Sequence, residues 1–178
     1  MTCPDDRRAM YHILQITGHM EQSAGEMPEN CFEYSEQGEY AAAMKYLCGL
    51  RHLDRLELEE AERLFRESVA KSPAGRTYYR LEAKKELLFC MLVKGASDEE
   101  VNELYDDELK HNIDQNKKST VSCPRVSCAC SYCIRHDQKT ADEEYLKAMN
   151  SLDRLSEGDA KMEWKLLNLL KETYGLSS

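Results

Sequence analysis

The chain has 178 residues, and its 33 acidic side chains outnumber 24 basic ones, for a formal net charge of −9. Such a surface repels phosphate backbones and anionic lipid, which excludes non-specific nucleic-acid or membrane binding as a default function. A composition that is 42% hydrophobic and 32% charged, with four prolines and eight glycines, excludes a disordered chain and suits long helices packed in a single domain.

In chain order, the first expected helix runs from about Asp5 to Gln22, where Met10, Ile13, Leu14 and Thr17 recur at helical spacing. A break at SAGEMPEN follows, with Pro28 suited to the first turn of a short stretch over 29–36. From Glu39, EYAAAMKYLCGLRHLDR favours a helix and puts Ala43, Tyr46, Leu47, Leu50 and Leu53 on one broad face. LEEAERLFRESVAK continues with Ala61, Leu64, Phe65, Ser68 and Val69 as its stripe and ends at Ser72, Pro73 and Gly75.

The next pair is expected over 77–94 and 99–111, divided where Gly95 stops one helix and Ser97 starts the other. Ser97 and Glu100 have the spacing of a capping box, in which the hydroxyl takes the N3 amide and the carboxylate reaches back to the cap amide. NIDQNKKST, at 112–120, has almost no apolar content and reads as a loop, and the basic stretch KKELLFCMLVK reads as a solvated helix face. Pro124 fits the first turn of VSCACSYCIRH, and Asp137 or Thr140 caps ADEEYLKAMNSL. After a turn at SEGD, AKMEWKLLNLLKETYG closes with Met162, Leu166, Leu167, Leu170 and Tyr174 inward and Gly175 as its stop. No segment alternates apolar and polar residues long enough to make a strand, so the expected fold class is all-α.

The N-terminus lacks the apolar core and small-residue cleavage site of a signal peptide, and no window reaches eighteen consecutive apolar residues. A cytoplasmic protein is expected, without membrane insertion and with its eight cysteines reduced.

An internal period organises the middle of the chain. Ala61, Val101 and Ala141 are 40 residues apart, and one turn beyond each stands Phe65, Tyr105 or Tyr145. The same register aligns Cys48 with Leu88 and Cys128, Gly49 with Phe89 and Ala129, and His52 with Leu92 and Tyr132. A small residue lets two antiparallel helices approach closely, and an aromatic one turn away fills the wedge where they splay. Leu88, Phe65 and Tyr105 are therefore expected between helix pairs.

These positions resemble the tetratricopeptide-repeat family. In AAMKYLCGLRHLDRLELEEAERLFRESVAKSP, Gly49 falls on the family's small first-helix position, Ala61 and Ser68 on its small second-helix positions, Phe65 on its aromatic position and Pro73 on its terminal proline. The second unit keeps Leu88, Leu92, Val101 and Tyr105, and the third Ala129, Tyr132, Ala141, Tyr145 and Ala148. The period is 40 rather than the family's roughly 34, Phe89 stands where a small residue is expected, and Glu108 stands where Ser68 and Ala148 sit. The resemblance implies one domain over 1–178, with an N-terminal helical region at 5–38, three stacked antiparallel hairpins at 39–155 and a capping helix at 159–175.

It also implies a scaffold that binds a protein or peptide on its first-helix face. The lining positions correspond to Tyr46, Leu50 and Leu53, then Glu86, Cys90 and Val93, then Val126, Cys130 and Cys133. Eight of these nine are apolar, too many for an open groove, so a cover is expected: the helix over 5–22, a second subunit in a homodimer, or a partner helix. An open face favours an adaptor, and a filled face favours a structural, self-associating subunit.

The remaining chemistry is sparse. Cys123, Cys128, Cys130, Cys133 and His136 could supply soft ligands to a metal, or thiols to a redox site. Ligands strung along two helical turns do not converge on one ion, and small-residue packing accounts for Cys128 and its neighbours, with Cys123 expected to be exposed. His52 falls on an apolar repeat position and is expected to be packed, and His12 and His19 have no nucleophile or carboxylate pair at useful spacing. No phosphate-cradling glycine loop, strained nucleophile turn or metalloprotease helix is present, so neither enzyme activity nor a cofactor is expected.

Overall fold

The computed structural model describes residues 39–72, 78–116 and 122–176, all of whose regular elements are helical. We number them α1 (Glu39–Asp54), α2 (Leu58–Lys71), α3 (Tyr78–Lys94), α4 (Asp98–Leu104), α5 (Asp107–Asn116), α6 (Ser122–Cys133), α7 (Gln138–Met149) and α8 (Glu157–Tyr174), with a 3₁₀ turn at Leu152–Arg154 before α8. The helices expected over 5–22 and 29–36, like Pro73 and Gly75, lie outside the described residues.

The first three helices run antiparallel to their neighbours. On α1 and α2, the Ser68 hydroxyl donates to the Ala42 carbonyl at 2.7 Å and Lys45 pairs with Glu67 at 2.6 Å, so late α2 meets early α1. Across α2 and α3, Arg80 donates to the Val69 carbonyl and Lys94 pairs with Glu62. The helix ends follow their sequence signals. Ser97 and Glu100 form the complete capping box of α4, Asp137 caps α7 through the Thr140 amide, and Gly175, at φ 62°, ends α8 in the left-handed region that glycine adopts without a Cβ clash. The turn of each hairpin carries one left-handed residue, Leu56, Gly95 or His136, so this backbone conformation recurs close to the 40-residue period without keeping its exact register.

The period marks the packing seams. Ala61, Val101 and Ala141 are all buried, as are Phe65, Tyr145, Leu88 and Cys128. Phe65 lies against the backbone of Gly49: a Cβ built on that glycine would stand 2.5 Å from the ring. Gly49→Ala should therefore destabilise the fold by about 1–2 kcal/mol, because overpacking of about 1–3 kcal/mol outweighs the helix-propensity gain of up to ~1 kcal/mol. Urea unfolding measures this, and a gain in stability would show that the helices are not in close contact there.

Four expectations are corrected. The helix expected over 99–111 is two, because the Asp106 carboxylate accepts the Leu109 amide at 2.8 Å and starts α5; Tyr105, at the break, is only half-buried. The start of NIDQNKKST is helical through Asn116, since Leu109 and Ile113, four apart, bury one side of α5; residues 117–121 are outside the described set. His52 is not packed but sits half-buried at the α1–α2 turn with Nδ1 2.5 Å from Glu57. Lys84 and Lys85 do not solvate α3. That helix is central, buried from Ala83 to Leu92, so both lysines are held in the interior by acids.

Candidate functional site

The nine lining positions come together. Tyr46, Leu53, Cys90, Val126 and Cys130 are buried members of one apolar core, Leu50, Val93 and Cys133 pack at its margin, and Glu86 is buried among them. The first helices α3 and α6 are in contact, with Lys85 and Glu86 on α3 meeting Cys123 and Arg125 on α6. The cover is α8. Its Lys165 ammonium binds the Asp54 carboxylate at 2.7 Å at the end of α1, its Glu163 binds Arg125 on α6, and its Tyr174 hydroxyl donates to the Leu92 carbonyl of α3 at 2.8 Å. Tyr174 also stacks on Tyr132 with ring centroids 4.5 Å apart. Leu166, Leu167 and Leu170 project from the same side of α8 and are fully buried.

At the centre of this face stands a charge cluster that sequence reasoning missed except for Glu86. Arg125 is 1% exposed. Its Nε donates to Glu163 Oε1 at 2.6 Å, and its Nη2 reaches both oxygens of Glu86 at 3.1 and 2.9 Å. Its guanidinium lies 4.2 Å from the centroid of Phe89, whose negative π face attracts the cation. This explains the departure at position 89: the register of Gly49 and Ala129 carries a ring here because it floors an arginine. The sequence signal is a lone arginine within CPRVSCACS, facing an acid in the run LEAKKELL.

A second pair adjoins it. Lys85 is held by Glu82 at 2.6 Å and donates to the Cys123 sulfur at 3.5 Å, which buries Cys123, contrary to the exposure expected of it. Lys84 reaches outward to Asp106 and ties α3 to the break between α4 and α5.

The electrostatics follow from burial. Desolvation lifts the Glu163 carboxyl above the usual carboxylate range, Arg125 opposes that shift, and Glu86 and Asp159 reinforce it. Burial also disfavours the Arg125 charge, but Glu163 and Glu86 outweigh it, so the guanidinium holds its proton more firmly than usual. Burial raises the Tyr46 phenol, with Glu86 and Glu82 adding to it, and pushes the Cys90 and Cys128 thiols to about 12. Cysteines so disfavoured as thiolates are poor nucleophiles at neutral pH. Among the described residues no group of three His, Cys, Asp or Glu side chains is placed to hold a metal ion, and none of the helices is long and apolar enough to cross a membrane.

No family model matches the chain, and no curated protein or solved structure proved similar to it.

Proposed function

We propose that this protein is a non-enzymatic protein- or peptide-binding scaffold built on a tetratricopeptide-like plan. One observation carries the reading: the face built by α1, α3 and α6 already receives a helix, α8, through a stripe of buried leucines and polar anchors at both ends. Helix-in-groove recognition uses this combination of apolar stripe and fixed polar contacts. The raised thiols of Cys90 and Cys128 support packing over covalent chemistry at the same face.

A second reading is favoured by the completeness of the filling. With Leu166, Leu167 and Leu170 wholly buried, the face can serve as a closed structural unit that self-associates through another surface.

Site-specific photo-crosslinking in cells separates the two. A photoreactive residue at Leu50 or Val93, at the margin of the face, should yield adducts with a partner protein, while one at exposed Glu103 or Asp153 should not. No adducts from Leu50 or Val93, with a dimer mass in native mass spectrometry, would establish the structural reading.

A further inference from the structure

We infer that Arg125 makes the first-helix face selective for an acidic amphipathic helix, and that α8 is a resident occupant which such a helix displaces. The inference rests on the scaffold reading and specifies the chemistry of the partner. The occupant in place displays the pattern: Glu163, Leu166, Leu167 and Leu170 stand at i, i+3, i+4 and i+7, with the carboxylate on Arg125 and the three leucines in the core. A guanidinium that is 1% exposed tolerates no apolar substitute for that carboxylate, because hydrogen bonds to a buried charge are costly to leave unmade.

Two observations make α8 replaceable. Its hold on the arginine is incomplete: Nε is bound by Glu163 and Nη2 by Glu86, but the buried Nη1 has no hydrogen-bond partner among the described residues. A partner helix that brings an acceptor to Nη1 as well as a carboxylate to Nε would satisfy the donor that α8 leaves unmade and so improve on the resident helix. The Lys165–Asp54 tether is moreover partly open to water, with side chains 31% and 45% exposed, which limits its strength.

The probe is a fluorescein-labelled synthetic peptide of residues 156–176 carrying Trp164→Phe, compared with the same peptide carrying Glu163→Gln as well. The receptor is the full chain with Glu163→Gln, which weakens its own latch and leaves Arg125 in place. Trp164, the single tryptophan, lies on α8 and reports its release. The acidic peptide should bind saturably and about tenfold or more tightly than the amide peptide, the loss expected when a charge-assisted hydrogen bond is removed. Trp164 emission should change in step with binding. The unaltered chain should bind both peptides more weakly but in the same order, since its tethered helix competes at an effective concentration on the order of millimolar.

Equal affinity for the two peptides would overturn the inference. So would absence of saturable binding to a receptor whose circular dichroism is native, or an exchanged dimer that the peptide does not dissociate, which would make a second copy the occupant. Partner adducts at Leu50 and Val93 without peptide selectivity would leave the scaffold reading standing and remove only the role of Arg125.

Discussion

Replacing Arg125 with Ala should destabilise the chain by about 3–5 kcal/mol, because the substitution leaves two carboxylates buried and facing each other without their cation. Glu86 and Glu163 are 3% and 6% exposed, so neither reaches enough water to recover its solvation. The loss is a large part of the ~5–15 kcal/mol that holds a typical domain folded. A triple variant, Glu86→Gln with Arg125→Met and Glu163→Gln, should recover most of it, since it removes the charges together and keeps much of the arginine's stem volume. Guanidinium unfolding of both variants checks this. A single-variant loss below about 1 kcal/mol would mean that α8 does not seal the cluster from water.

The same cluster sets a pH dependence. Burial raises the folded-state pKa of Glu163 above its unfolded value, so the folded chain binds that proton more tightly than the unfolded one. Its ionised form therefore costs stability at neutral pH, and the cost is relieved as the pH falls through the folded-state value. Glu62 and Asp106 act in the opposite sense. Burial raises both, but Lys94 and Arg66 outweigh it for Glu62, and Lys84 with the Leu109 amide outweighs it for Asp106. Their stabilisation is lost as the pH falls from the unfolded toward the folded value. Comparing the unaltered chain with Glu163→Gln isolates the first effect: the unaltered chain should gain on the variant as the pH is lowered from 7 toward the unfolded carboxylate pKa of about 4.3. A constant difference would show that Glu163 titrates as it does in water.

Phe65→Ala should cost about 3–5 kcal/mol, the range for removing a fully buried phenyl and leaving a cavity. Its ring lies 6.0 Å from that of Tyr46 and covers the one place where α1 has no side chain, Gly49. The two positions should be coupled, and with a sign reversal. Gly49→Ala is destabilising while the phenyl is present, but in the Phe65→Ala background its methyl enters the void and keeps the helix-propensity gain of up to ~1 kcal/mol. A double-mutant cycle in urea reads the coupling, and additive effects would show that the ring does not rest on the glycine.

Much of the architecture was legible from local signals. The capping box at Ser97, the cap at Asp137, the stop at Gly175 and the 40-residue recurrence at Ala61, Val101 and Ala141 concern groups within a turn or two of each other, or identical packing problems repeated. Two of the failures share one cause. Tyr105 and Asp106 interrupt a helix because Asp106 has both the Leu109 amide and the Lys84 ammonium to satisfy, and the lysine comes from another helix. Lys84 and Lys85 read as solvating residues since a lysine's charge favours water, until acids elsewhere in the fold make burial tolerable.

The first-helix face was legible as too apolar to stand open, for its residues declare their hydrophobicity wherever they are. Which segment covers it was not, because leucine stripes carry no address: the stripe at Met10, Ile13, Leu14 and Thr17 and the one at Leu166, Leu167 and Leu170 suit an apolar surface equally well. Among the described residues the tertiary structure places α8 on that face, and the contact that distinguishes it is polar. Hydrophobic burial is non-directional and sets only how much surface must be hidden, whereas a buried guanidinium must donate to acceptors at hydrogen-bonding distance, and the fold places Glu163, 38 residues further along the chain, 2.6 Å from Arg125.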